Sequence, residues 1–129
     1  MPTARELGIG VVAWSPLGSG FLARPPATLA DGDFRRNVPR FQGENLARNV
    51  DRFAPLRGLA DDLSITPAQL ALTWLLHRGD DIVPIPGTRN PEHLASNLAA
   101  ARIELDAATL ARIDEVAPPG LAEGVPLLA

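Results

Sequence analysis

The chain has 129 residues, 46% hydrophobic and 21% charged, a globular composition with enough apolar material for one core. Its net charge of −3 argues against a binder of the nucleic-acid backbone. The absence of cysteine rules out a disulfide framework and a thiolate metal site, and the two histidines, His77 and His93, are too few for a His-rich one, so no metal is expected.

The N-terminal Met-Pro-Thr-Ala-Arg-Glu-Leu-Gly has no signal-peptide apolar centre, and no stretch approaches the roughly 18 to 20 apolar residues of a membrane span. A cytoplasmic protein with neither membrane nor nucleic-acid partners is expected. The 13 prolines and 11 glycines are scattered, so no linker or repeat is read and residues 1–129 are taken as one unit. The chain contains no lysine and no tyrosine.

Arg5-Glu6-Leu7-Gly8 reads as the last turn of a helix closed by glycine, so the chain is read as beginning within a structural unit. Ile9-Gly-Val-Val-Ala-Trp14 is a short apolar run suited to a strand buried on both faces. Ser15 to Gly20 is a turn-rich loop, and Phe21 to about Glu44 shows no sustained period and is predicted to be a long surface loop. From Leu46 through Val50, Phe53, Leu56 and Ala60 to Leu63 the apolar residues recur every three or four positions, interrupted by Pro55. This is either a kinked helix or two short ones, the second starting at Pro55.

Thr66-Pro-Ala-Gln69 carries the capping-box pattern and opens a helix predicted to reach Arg78 and stop at Gly79, with Leu70, Trp74, Ala71 and Leu75 inward. Ile82, Val83 and Ile85 form a second strand. Asn90 caps a helix from Pro91 to about Ala101, and Asp106 caps another to about Val116. Strands alternating with helices imply a parallel sheet, and right-handed crossovers would place the helices on one side, as in a barrel.

In such architectures ligands bind at the carboxyl ends of the strands, which puts the loops after Trp14 and after Ile85 on one face. Ser15 and Ser19 with glycine N–H groups could cradle a pyrophosphate, and Trp14 offers a flat face to an aromatic ring. Gly87 lets backbone approach a ligand. Thr88 and Arg89 stand before a helix N-terminus, where the dipole and unpaired N–H groups favour an anion. The alternatives are a core aromatic for Trp14, a polar turn for Ser15 and Ser19, and an ordinary loop with a solvated arginine.

These paired loops, Trp14-Ser-Pro-Leu-Gly18 and Ile85-Pro-Gly-Thr-Arg89 followed by Leu94-Ala-Ser-Asn97, resemble aldo-keto reductases. Phe34 to Asn45 and Thr66 to Trp74 resemble the long loop and next helix of that family's monomeric, NADPH-using bacterial and fungal branches. The resemblance covers nearly the whole chain and implies the C-terminal part of a TIM-type (β/α)8 barrel, running from the end of helix six to the terminal helix. It implies NADPH as cofactor: Trp14 on the nicotinamide, Ser15, Leu17 and Ser19 along the pyrophosphate, Thr88 and Arg89 at the 2′-phosphate, and Asn97 at the adenine. Ser96 stands where many members carry an acidic residue, and His93 where Arg or a bulky polar residue is common. Adenine binding is therefore expected to be looser, or Arg89 to carry more of the phosphate's charge.

Family members resemble one another in an Asp, Tyr, Lys and His set that protonates the carbonyl oxygen as hydride arrives, all from the first half of the barrel. This chain has neither Tyr nor Lys, so no catalytic residue is assigned and the isolated chain is expected to be inactive. His77 reads as a helix-face or core residue. The expected function is the NADPH-binding C-terminal half of an aldo-keto reductase whose parent reduces aldehydes or ketones to alcohols. The alternatives are a non-catalytic cofactor-binding subunit and a truncated fragment. A carbonyl substrate is expected only if the barrel is completed, and unpaired edges and exposed barrel-lining residues should favour self-association.

Overall fold

The computed structural model describes residues 2–126. Helix α1 (Pro2–Glu6) leads through Gly8, whose φ of 66° closes the helix in the left-handed region, into strand β1 (Val11–Ala13). Two 3-10 turns, Phe34–Asn37 and Pro39–Phe41, precede helices α2 (Gly43–Arg52), α3 (Ala54–Asp62) and α4 (Pro67–Leu76). Strand β2 (Ile82–Pro84), helix α5 (Pro91–Ala99), a 3-10 turn at Ala100–Arg102 and helix α6 (Ala107–Val116) complete the order.

The strands pair in parallel, with Val11 opposite Ile82, Val12 opposite Val83 and Ala13 opposite Pro84. Helices cover the Ile82 face of this sheet; the other face is open, with Val12 63% and Val83 55% exposed. The expectation of a first strand buried on both faces is corrected here. Apolar sequence predicts burial only where a neighbour exists to supply it, and two strands with one helical layer cover one face.

The stripe from Leu46 to Leu63 resolves into two helices. Phe53 separates them, and Pro55 is the second residue of α3, where its missing N–H costs no helical hydrogen bond. The two helices serve different cores. Leu46, Val50 and Phe53 pack on buried Phe21, Val38 and Phe41, whereas Leu56, Leu59 and Ala60 join Leu70, Leu105 and Ile113.

Phe21 to Glu44 is therefore not the surface loop expected. It holds the two 3-10 turns, contributes the first two residues of α2, and builds a core in which Phe21 meets Phe41 and Phe53 edge-on at 6.0 and 5.5 Å.

The Thr66 capping box is present with both reciprocal bonds, 3.1 Å from the Gln69 N–H to Thr66 Oγ1 and 2.9 Å from the Thr66 N–H to Gln69 Oε1. Helix α4 ends at Leu76, short of Arg78, and its most buried residues include Leu72 and Thr73 as well as Leu70. Thr73 Oγ1 donates to the Ala100 carbonyl at 3.1 Å, which ties α4 to the turn after α5.

At the amino ends of the strands Arg5 Nε donates to Asp81 Oδ2 at 2.9 Å and Arg5 Nη2 to the Arg78 carbonyl at 2.5 Å. The Arg5 hydrogen bond holds the Asp81 carboxyl below the usual carboxylate range. Gly79, at φ 147°, leaves room for this pair: a Cβ there would stand 2.6 Å from Arg5 Nη2.

Candidate functional site

Both candidate loops leave the carboxyl ends of the paired strands. The Ile85 N–H donates to the Ala13 carbonyl at 3.2 Å, so the ladder continues to the point where Trp14 opens the first loop and Pro86 and Gly87 open the second. Trp14 is 61% exposed and Ile85 47%.

The first loop is a tight turn. Ser15 and Ser19 have φ of 53° and 56°, a left-handed conformation unfavourable for side chains bearing Cβ, and Gly18 and Gly20 lie at 55° and 86°. The turn is closed by the Gly18 N–H to the Ser15 carbonyl at 3.0 Å and the Ser19 N–H to Ser15 Oγ at 3.3 Å. The Ser15 hydroxyl thus accepts from backbone and keeps its proton to donate. Leu17 and Ser19 are half-buried.

The second loop uses a hydroxyl in the same way. Thr88 Oγ1 accepts the Asn90 N–H at 3.1 Å, and Asn90 Oδ1 caps α5 by accepting the Glu92 N–H at 2.9 Å. The expectation of several free N–H groups at this helix end is corrected: Pro91 has none, Glu92 is capped and Leu94 bonds back to Asn90, leaving His93. Gly87, Thr88, Arg89 and His93 are exposed, and among the described residues Arg89 forms no hydrogen bond or ion pair. Ser96 and Asn97 are half-buried on α5, whose position is set by a 3.2 Å bond from Gln69 Nε2 to the Ser96 carbonyl. Gln69 therefore both caps α4 and locates the helix carrying Ser96 and Asn97.

An apolar cavity of about 270 Å³ lies against the start of the first loop, between β1, α3, α4 and α6, with Trp14, Pro16, Phe21, Leu70, Trp74 and Ile113 among its walls. Of the ten candidate residues only Trp14 borders it, and its apolar lining gives a phosphate no partner. On its flank Trp74 Nε1 donates to Asp114 at 2.9 Å and Arg78 stacks 4.1 Å above the Trp74 ring while also pairing with Asp114. The Trp74 N–H first, and Arg78 beside it, hold the Asp114 carboxyl below its ordinary range.

His77 is a joint in the scaffold. Its Nδ1 lies 2.9 Å from the Thr73 carbonyl, which can only accept, and its Nε2 lies 3.3 Å from the Leu105 N–H, which can only donate. That pair fits the neutral imidazole protonated at Nδ1.

One side chain at the first loop escaped the sequence reading. Arg35 Nη1 donates to the Ser19 carbonyl at 3.3 Å while its guanidinium grips Asp33, with Nη2 to Oδ2 at 2.7 Å. The Phe34 to Asn45 motif contains Arg35, but periodicity gives no sign of its contact with Ser19.

The sequence model of the Aldo/keto reductase family matches residues 1–118. The NADP(+)-designated aldo-keto reductase yakc of Schizosaccharomyces pombe is 42% identical over 118 residues, covering 89% of this chain and 35% of the relative. The crystal structure of Gox0644 in its apo form matches with a TM-score of 0.60 at 23% identity, over 96% of this chain and 35% of the other, a likeness of fold. The chain thus spans about a third of the length of either relative. Its fold is the C-terminal part of a TIM-type (β/α)8 barrel, two parallel strands with their helices and an incomplete barrel wall. No helix among the described residues is long and apolar enough to cross a membrane. With the family pattern running from residue 1 to 118, the chain belongs to the aldo/keto reductase family.

Proposed function

We propose that residues 1–129 form the NADPH-binding C-terminal portion of an aldehyde or ketone reductase. The observation that carries this reading is the state of the two loops. Ser15 and Thr88 each use an oxygen lone pair on a backbone N–H, retaining a hydroxyl proton for an anion, and Arg89, next to Thr88 in the chain, is exposed and unpaired among the described residues. The NADP(+) designation of the fission-yeast relative supports the choice of dinucleotide.

In this reading Ser15, Leu17 and Ser19 line the pyrophosphate and Trp14 stacks on the nicotinamide. Thr88 and Arg89 take the 2′-phosphate over the backbone of Gly87, and His93, Ser96 and Asn97 border the adenosine. The bound dinucleotide would supply hydride to a carbonyl carbon. The chain's own residues bind and orient; none of them supplies the proton, because it has neither tyrosine nor lysine. Titrating the chain with NADPH while following tryptophan fluorescence tests the site. A folded chain whose emission is unchanged in wild type would refute it. A carbonyl-reduction assay on the same sample tests the division of labour: no turnover is expected, and robust turnover by the chain alone would overturn it. We also propose that the open sheet face drives self-association of the free chain.

A further inference from the structure

After α6 the chain turns back and lies across α2, held through its backbone and through the Glu123 carboxylate, which pairs with Arg52 Nη2 at 2.6 Å. Asn49 is 2% exposed; its Oδ1 accepts the Glu123 N–H at 2.7 Å, and its Nδ2 donates to the Glu123 carbonyl at 3.0 Å and to the Arg40 carbonyl at 3.2 Å. A side-chain amide that satisfies both ends of one residue's backbone holds that segment independently of its side chain. Arg40 Nε adds a 2.9 Å bond to the Gly124 carbonyl, and Arg52 Nη1 one of 2.9 Å to the Leu121 carbonyl. Gly124, at φ 77°, seats so closely that a Cβ would lie 2.8 Å from the Arg40 nitrogen and 2.9 Å from the Pro39 carbonyl carbon, backbone atoms that cannot swing aside.

From this seat two contacts reach the first ligand loop. Phe41, which follows Arg40, packs edge-on against Phe21, the residue after Gly20. Arg35, its guanidinium fixed by Asp33 and 5.7 Å from the Phe41 ring centre, holds the Ser19 carbonyl. Ser15 and Ser19 are in left-handed backbone conformations, which such residues keep only where their surroundings over-determine them.

We propose that residues 121–124 are a clasp. Seated on Asn49 and Arg40, this segment fixes the Pro39–Phe41 turn and, through Phe41 and Arg35, locks Ser15 to Gly20 in its observed conformation. Asn49 and Arg35 are positioning residues in this scheme. Its consequence for cofactor affinity rests on the NADPH reading above; the mechanical link does not.

Amide hydrogen exchange followed by NMR separates the two. The Phe21, Leu22 and Arg24 N–H groups, bonded to the Gly18, Leu17 and Gly20 carbonyls, report on the loop, and Glu123 reports on the clasp. In Asn49→Ala and Gly124→Ala all four should exchange about tenfold faster or more, with α4 amides unaffected. Gly124→Ala removes no buried partner and keeps the test valid should Asn49→Ala unfold the chain. Arg35→Lys, which keeps the charge without the fork, should speed the loop amides and leave Glu123 protected, a one-way effect that general loosening does not produce. Arg112→Ala, which breaks only a surface pair with Glu115, should change neither. A freed Glu123 beside an unchanged loop would overturn the proposal. In parallel, NADPH should bind Gly124→Ala at least several-fold more weakly than wild type. Failure of the unsubstituted chain to bind NADPH would count against the cofactor reading and leave the clasp to the exchange data.

Discussion

Replacing Arg89 by alanine is the sharpest perturbation of the proposed site. Arg89 is exposed and has no protein partner among the described residues, so the substitution takes nothing from the scaffold and its effect should appear in binding alone. A hydrogen bond to a charged group contributes about 1.5 to 3 kcal/mol net, and solvent around an exposed guanidinium favours the lower figure. At about 1.4 kcal/mol per factor of ten, Arg89→Ala should weaken NADPH binding about tenfold and leave NADH binding nearly unchanged.

The Thr88 hydroxyl survives the change, so a reduced preference for NADPH should remain. Arg89→Lys, a point charge without the planar fork, should fall between wild type and alanine. Because the contact is at the surface, the discrimination should shrink as salt is raised, the Debye length falling from about 10 Å at 0.1 M to about 3 Å at 1 M. Tryptophan fluorescence titrations with both nucleotides measure the ratio. A Trp14→Phe control distinguishes Trp14 from Trp74, whose indole N–H is bonded to Asp114. An unchanged ratio of NADPH to NADH affinity in Arg89→Ala, with the signal traced to Trp14, would refute Arg89 as the phosphate contact.

Two further outcomes concern the scaffold. Thr66→Ala should destabilise the chain by about 1 kcal/mol in urea unfolding through loss of the cap, and Gln69→Ala, which also releases the Ser96 carbonyl, should additionally weaken NADPH binding by moving α5. The carboxyls of Asp81 and Asp33 titrate below their ordinary value because Arg5 and Arg35 hydrogen-bond them in the folded chain. A carboxyl with a depressed folded pKa stabilises above its unfolded value, near 4, and that contribution is lost as pH falls through the folded value. Stability should therefore be flat on this account near neutrality and fall below about pH 4, and Arg5→Gln should soften the acid limb in a pH series of thermal melts.

What could be read from sequence was local. Thr66 with Gln69, Asn90 with Pro91 and Asp106 announce helix starts because cap and partner lie within a few residues, and all three caps form. The alternation of strands and helices was enough to place both candidate loops at one end of the sheet. The second core was hidden because Phe21, Val38 and Phe41 follow no helical or strand period and meet the Leu46, Val50 and Phe53 stripe only through tertiary contacts. Asn49 was hidden for a related reason: a polar residue on an amphipathic helix suggests the solvent side, whereas here it is buried by a distant segment whose backbone satisfies it. Within the site, residue types suggested anion binding. Which lone pairs were already occupied, at Ser15 and Thr88, required the backbone geometry.

The open sheet face leads to the last prediction. Val12 pairs with Val83 on this face, and both large apolar side chains are exposed, with Trp14 and Ile85, also exposed, following directly after the strands. Each strand has one pairing partner among the described residues, so each also presents an unpaired edge. Apolar surface and unsatisfied edges together form a template for another chain. The free chain should associate as its concentration rises, with sedimentation velocity showing a shift in mean mass that high salt does not abolish, since burial of apolar surface rather than charge drives it. Val12→Thr with Val83→Thr keeps β-branched residues in the strands while lowering the apolar area, so the strands should persist and association should weaken. A chain that stays monomeric at high concentration, or a double variant that associates as strongly as wild type, would show that this face does not hold copies of the chain together.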